Sequence, residues 1–413
     1  DDGMVKEIRV PADAEQIIEK LNEHGFEAYV VGGCVRDSLL GKEPEDWDIT
    51  TSARPGEVKS IFSRTIDTGI QHGTVTVMLN RQGYEVTTYR VDGEYEDGRH
   101  PKSVDFTTSL LEDLKRRDFT INAMAYNSRE GLVDAFGGIE DLENRVIRCV
   151  GSAVNRFTED ALRILRAVRF SAQLDFRIED ETYEAISIIA PNLEKVSKER
   201  IATELTKLLL SSHPEKMKRV SDTGASRYVS EPFCRAASLN KDELRPLGLL
   251  PAVKYMRWAG LLRREQGETA AAILRDLKMD CDTMDKVKIL VSRWRIPISA
   301  EKPAIRRGMN QIPPDLFDSL LCFQEVFAAE LGEGYRETLK AVKTLAEEIR
   351  RDGDPVNLKE LAVDGRDLMA AGMKPGPALG KTLNALMEQV LERPECNTRE
   401  YLLNAAGLKC ELP

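Results

Sequence analysis

The sequence predicts an α+β fold, a small mixed-sheet head followed by an extended all-α remainder. Three observations predict it. TVTVML (74–79) and YEVTTYR (84–90) alternate with period two around NRQG, the pattern of a β-hairpin. AYVV (28–31) is a short apolar run that reads as a buried strand. From about residue 153 the apolar residues recur instead at intervals of three and four, the pattern of helices.

Taken in order, residues 13–24 place Ile17, Ile18 and Leu21 at helical spacing, and Gly25 ends that helix. Gly32 and Gly33 turn the chain from the AYVV strand into a short helix, VRDSLLG. EDWDIT (45–50) reads as a second strand and RPGEVKSIF as a helix. VDGEYEDGRHPKSVDF (91–106) is polar, carries glycine and proline, and is too long for a passive turn. RFTEDALRILRAVRFSAQL, DETYEAISIIA and SKERIATELTKLLLSS read as helices. Beyond them, helical segments alternate with breaks at Pro251, Pro297, Pro313–Pro314, Gly353–Pro355 and Pro375–Pro377. No repeat of 30–50 residues is visible. The expected divisions are 1–150, 151–210, 211–310 and 311–413.

The 413 residues are 42% hydrophobic and 31% charged, enough to bury several cores. No apolar stretch approaches the ~18 residues of a membrane span. DDGMVKEIRV lacks the apolar core of a secretory signal. A cytoplasmic protein with no membrane partner is therefore expected. Seven cysteines without a C-x-x-C pair argue against a zinc site and a disulfide framework. The four histidines lie far apart, so a catalytic metal would be held by oxygen ligands. A net charge of −10 argues against a uniformly basic nucleic-acid binder, yet a local basic groove suffices to attract phosphate. LKRRD (114–118) and RILRAVRF (163–170) are such local clusters.

The chemistry starts at Asp46 and Asp48. Two residues apart on a strand, they point to one face while Trp47 and Ile49 point to the other. Side by side, two carboxylates repel unless a cation lies between them. Magnesium suits the pair, because it binds one or two carboxylates together with substrate phosphates. Two such ions roughly 3.5–4 Å apart would activate a hydroxyl and stabilise a leaving pyrophosphate. Alone, a D-x-D at a strand end is usually just exposed. Here G-G-C-V-R-D (32–37) lies just upstream. Its glycines let the backbone approach a triphosphate, the following helix start offers amides, and Arg36 adds a charged fork. No G-K-[ST] follows, so this is not a Walker loop. Glu85, on the hairpin, is either a third carboxylate of the metal site or half of a cross-strand ion pair.

Together GGCVRDSLLG with EDWD, LKRRDFTINAM (114–124), VDAFGGIEDL (133–142) and EDALRILRAVRF (159–170) resemble the class II tRNA nucleotidyltransferases. That family contains the bacterial CCA-adding enzymes and poly(A) polymerases. The motifs run in family order across residues 28–210, about half the chain. Cys34 stands where alanine is common, and Trp47 is a bulkier spacer than usual. The resemblance implies a catalytic head at 1–150, a neck carrying a base-reading helix at 151–210, a body at 211–310 and a tRNA-binding tail at 311–413. It implies Mg2+ on Asp46 and Asp48, and triphosphate contacts at Gly33, Arg36 and Arg117. It puts base reading on Asp160 and Arg163, with Arg166 and Arg169 also lining the nucleotide site.

The base readers make physical sense. Asp160, Arg163 and Arg166 recur at three-residue intervals, so they sit near one another on one helical face. Cytosine and adenine each present an amine beside an unprotonated ring nitrogen, which suit aspartate and arginine; uracil and guanine present the reverse. Such a pocket rejects the wrong partner by on the order of 10⁴ or more. Asp118 reads as an ion-pair anchor rather than a catalyst. The segment 91–106 resembles the loop of enzymes that add a terminal A. The expected activity is therefore addition of C, C and A to tRNA from CTP and ATP. An A-adding enzyme of a split system, a poly(A) polymerase and a non-catalytic tRNA-binding protein are the alternatives. The acidic composition speaks against the polymerase, and the paired acids against a mere binder.

Overall fold

The computed structural model describes residues 7–92 and 104–408. Most of the polar segment 91–106, and with it the expected A-adding loop, lies outside the described residues, as does Cys410. The chain divides into two compact units, residues 1–248 with 276–278, and residues 249–275 with 279–413.

The first unit opens with α1 (Ala12–Glu23), which buries Ala14, Ile17, Ile18 and Leu21 at the predicted spacing. β1 (Ala28–Val31) is buried throughout. Gly32 follows at φ +82°, a conformation a Cβ would strain, and leads into α2 (Gly33–Leu39). β2 comprises only Ile49–Thr51. Asp46 and Asp48 therefore lie on the approach to the strand rather than inside a strand 45–50. Asp48 still shares the ladder, since its carbonyl accepts the Val31 N–H at 3.0 Å.

After α3 (Pro55–Ile61) and β3 (Thr65–Gly69), the expected hairpin forms from β4 (Thr74–Leu79) and β5 (Gln82–Thr88). Its two-residue turn is Asn80 and Arg81, both at positive φ, the geometry whose twist matches antiparallel strands. β6 (Arg90–Asp92) pairs with β7 (Val104–Phe106), and α4 (Leu110–Lys115), β8 (Ala125–Asn127) and β9 (Gly131–Val133) follow. Seven strands form one mixed sheet in the order β3-β4-β5-β2-β1-β8-β9. β2 and β5 run parallel, with Ile49 opposite Val86. Continuing that register back by one residue sets Asp48 opposite Glu85.

The rest of this unit is built mainly from α5 (Gly138–Glu143), β10 (Val146–Ile147), α6 (Ala153–Glu159), α7 (Leu162–Leu174), β11 (Arg177–Ile178), α8 (Asp180–Ile189) and α9 (Lys198–Leu209). The helix expected across 156–174 is broken at Asp160, where φ is −151° and ψ 104°. Asp160 therefore does not share a helical face with Arg163 and Arg166. Two contacts hold the break: Asp160 Oδ1 accepts the Leu162 N–H at 3.2 Å, satisfying an amide that the start of α7 leaves open, and Arg200 of α9 grips the same carboxylate at 2.7 Å.

The second unit is helical among its described residues, with long helices at Cys281–Arg293, Pro314–Val326, Tyr335–Arg351 and Pro377–Glu392. Pro314 and Pro377 occupy first helical positions, where a missing N–H costs nothing. Trp294, Phe323 and Phe327 pack edge-on in its core. Arg263, 1% exposed, lies over the Phe327 ring at 4.1 Å and donates to Gly260 O at 2.8 Å and to Glu330 at 3.1 Å. No described helix is long and apolar enough to cross a membrane.

Arg263→Ala should destabilise this unit by roughly 2–3 kcal/mol, because stacking and charge-assisted hydrogen bonds vanish together. Urea denaturation followed by tryptophan fluorescence checks this; an unchanged midpoint would contradict it.

Candidate functional site

A cavity of about 620 Å³ opens in the first unit, and most of the residues singled out from the sequence border it: Gly33, Arg36, Asp46, Asp48, Arg117, Asp160, Arg163, Arg166 and Arg169. Glu85 does not border it; it is exposed on β5.

The two acids come from the stretch between α2 and β2. Asp48 has its carboxyl pushed up from 3.8 to about 6 by burial, then by the negative charge of Glu85, with a smaller push from Asp46 and a counteracting pull from Arg117. Burial is the larger cause, and the neighbouring carboxylates add to it. The cavity's other acids, Asp118 and Asp160, are each paired with an arginine, whereas Asp46 and Asp48 make no ion pair with any described residue. No group of three or more His, Cys, Asp or Glu able to hold a metal occurs among the described residues. A cation here would take its remaining ligands from water or substrate. Cys34, next to the glycine turn, is no nucleophile, because burial pushes its thiol up to about 12.

Facing the acids are guanidinium groups on α2, α4, α7 and α9. Arg36 donates to Asn122 Oδ1 at 2.6 Å and to Asp37 at 3.0 Å. Arg117 donates to Asp113 at 3.4 Å, while its buried Nε has no hydrogen-bond partner among the described residues. Gly32, at φ +82°, sets its Cα close to Arg117: a Cβ there would stand in ordinary contact with Nη1, at 3.6 Å. Arg163 donates to Glu159 at 2.8 Å and to the carbonyls of Arg156 and Arg116 at 3.1 and 3.2 Å. Arg166 grips Asp118 at 2.6 and 2.9 Å, and Arg169 grips Glu204 at 2.6 Å. Burial works to raise the Asp118 carboxyl, but Arg166 and Arg163 prevail and hold it at about 2. Asp118 is thus fixed as an ion-pair anchor.

Asp160 faces Arg200 of α9, which donates to its two oxygens at 3.3 and 2.7 Å. Arg200, Glu204, Lys207, Arg116, Asn122 and Phe170 were not singled out from the sequence. Arg200, Glu204 and Lys207 do lie at i, i+4 and i+7 in SKERIATELTK, one face of α9, and that periodicity was the available signal. Phe170 offered none, yet the guanidiniums of Arg36, Arg166 and Arg169 lie 5.2, 5.3 and 4.2 Å from its ring centre. The arrangement can receive a polyphosphate beside two free carboxylates, with a polar pair deeper in for a heterocyclic base.

Comparison with known proteins agrees. Residues 28–148 match the family described as the poly A polymerase head domain, residues 175–233 the RNA- and SrmB-binding site of polymerase A, and residues 319–406 domain 2 of tRNA nucleotidyltransferase. The CCA-adding enzyme of Leuconostoc mesenteroides is 40% identical over 402 residues, 94% of each chain. The structure of the Bacillus stearothermophilus CCA-adding enzyme in complex with CTP superposes with a TM-score of 0.78 at 31% identity, covering 95% of this chain and 96% of that one. The Thermotoga maritima CCA-adding enzyme complexed with tRNA shares the fold, with a TM-score of 0.65 at 22% identity and 96% of both chains covered.

Crowding at Asp48 has a measurable cost. A carboxyl raised on folding from 3.8 to about 6 destabilises the fold fully above about pH 6 and not at all well below 3.8. Asp48 is exposed in the open cavity, so screening limits the effect to roughly 1 kcal/mol or less. Asp48→Asn should therefore raise the melting temperature at pH 8 in a chelator, and the gain should shrink to a small part of that at pH 4. A gain undiminished at pH 4, or a loss at pH 8, would contradict this.

Proposed function

The chain belongs to the family of CCA-adding enzymes, and we propose that it adds C, C and A in turn to the 3′ end of tRNA from CTP and ATP, releasing pyrophosphate each time. The observation that carries the reading is the single cavity that joins two unpaired carboxylates to a guanidinium wall.

The donor set fits Mg2+: two oxygen-bearing side chains, mutually repelling and open to solvent, leave positions for phosphate oxygens. Bound by Asp46 and Asp48, Mg2+ would supply the activation of the 3′-hydroxyl for in-line attack on the α-phosphate and offset charge on the departing pyrophosphate. Glu85, one strand away, adds negative potential to that position. Arg36, braced by Asn122, and Arg117, braced by Asp113, take the triphosphate oxygens, and the turn at Gly32 and Gly33 lets the backbone approach them. Their fixed positive charge stabilises the charge that accumulates during transfer.

Base choice falls to Asp160 and Arg163. A carboxylate has about four acceptor positions, so Asp160 can stay bound to Arg200 and Leu162 and still accept from the amine of cytosine or adenine. Arg163 donates to the neighbouring ring nitrogen. Arg166 and Arg169, tied to Asp118 and Glu204, form the wall against which the nucleotide lies. The helical segments from about 211 grip the tRNA by shape and backbone. Free cysteines at the described positions fit a cytoplasmic enzyme.

Incubation with tRNA lacking its last three nucleotides, plus CTP, ATP or both, tests the reading. Addition of CCA is expected. Addition of A alone to tRNA ending in CC would select the split-system enzyme, and long A tails the polymerase. Asp46→Ala should lower transfer by at least about 10³-fold, on the scale of a lost catalytic group, while tRNA binding persists in a gel-shift assay. A fully active variant would remove the proposed mechanism. Binding of tRNA should weaken steeply as salt rises, as phosphate contacts require; salt-insensitive affinity would contradict the mode of recognition.

A further inference from the structure

Behind Arg116 and Arg117 lies an acid that the reaction as described does not use. Asp113, in α4, has no exposed surface. Its carboxylate accepts from the Thr50 hydroxyl at 3.0 Å, the Arg90 amide at 3.1 Å, Arg116 Nε at 3.3 Å and Arg117 Nη2 at 3.4 Å. A buried charge persists only where donors and cations satisfy it, and here they converge from three elements. Burial pushes this carboxyl up, but Arg117 and Arg116 outweigh burial and hold it below the usual carboxylate range.

The positions of the donors give the cluster its meaning. Thr50 stands two residues after Asp48 on the same stretch of chain, in β2. Arg117 borders the cavity, and Asp113 holds it by Nη2. One buried carboxylate therefore ties the strand that follows the acid pair to the arginine assigned to the triphosphate. A long arginine side chain loses rotamer freedom on binding phosphate, and prior fixation removes that cost. Fixation from behind leaves the cavity-facing N–H groups free.

We propose that Asp113 is a positioning residue that sets affinity for the nucleoside triphosphate and for the pyrophosphate product, by fixing Arg117 against β2, the strand that follows Asp48, and touching neither ligand. The proposal rests on the assignment of Arg117 to the triphosphate. It acts on the part common to all nucleotides, so it is blind to the base.

The test is Asp113→Asn, which keeps the shape and removes the charge. KM for CTP and for ATP should rise together by about tenfold, the scale of one charge-assisted hydrogen bond. The inhibition constant of pyrophosphate should rise by the same factor, with the ratio of UTP to CTP incorporation little changed. In an Arg117→Ala background, Asp113→Asn should add nothing to the loss, because the two act as one unit; a merely structural role would lower activity in both backgrounds. Unchanged or tighter pyrophosphate binding in Asp113→Asn, or an effect on one nucleotide alone, overturns the proposal. If Arg117→Ala itself leaves triphosphate affinity untouched, the assignment of Arg117 fails and the proposal falls with it. Should Asp113→Asn not fold, Thr50→Val removes one donor to the same carboxylate. It should give the same pattern at smaller amplitude, and an unchanged KM there overturns the proposal equally.

Discussion

Seven arginines, at 36, 116, 117, 163, 166, 169 and 200, border one cavity, and the site depends on holding them there. Two unit charges 4 Å apart repel by about 4 kcal/mol at an effective dielectric of 20, so such a wall would disperse if left alone. Six acids prevent this. Asp37 holds Arg36, Asp113 holds Arg116 and Arg117, Glu159 holds Arg163, Asp118 holds Arg166, Glu204 reaches Arg166 and Arg169, and Asp160 holds Arg200. Each pair cancels part of that repulsion. A chain of net charge −10 can thus present a cation-lined pocket to phosphate.

The same pairing connects the elements. Asp118 follows α4 and reaches Arg166 on α7; Glu204 on α9 reaches Arg166 and Arg169; Arg200 on α9 reaches Asp160 at the α6–α7 break. The sheet contributes differently. It brings Asp48 beside β1 and β5, where Val31 fixes its backbone and Glu85 adds repulsion. Of the acids that border the cavity, the two left without a cation are those assigned to the metal. The raised Asp48 carboxyl is a charge held at some cost to stability, as expected at functional sites.

Much of this was legible in the sequence. Period-two alternation found the β4–β5 hairpin, and the double glycine found the turn at φ +82°. The motif residues proved to border one cavity, which spacing alone does not guarantee for groups as distant as Asp46 and Arg169. Local patterns failed where a tertiary contact decided. Helical periodicity runs unbroken through EDALRILRAVRF, but Asp160 leaves the helix because its side chain is claimed by Leu162 N–H and by Arg200, 40 residues away. Asp113 and Phe170 were invisible, since a buried acid and a core aromatic differ from their neighbours only through what surrounds them.

The most direct measurement is anomalous diffraction from crystals grown with Mn2+ and a non-hydrolysable CTP analogue. A manganese peak between the carboxylates of Asp46 and Asp48, joined to triphosphate oxygens that also meet Arg36 and Arg117, is the expected result. A triphosphate seated with its metal elsewhere, and those two carboxylates turned away from it, would contradict the central claim.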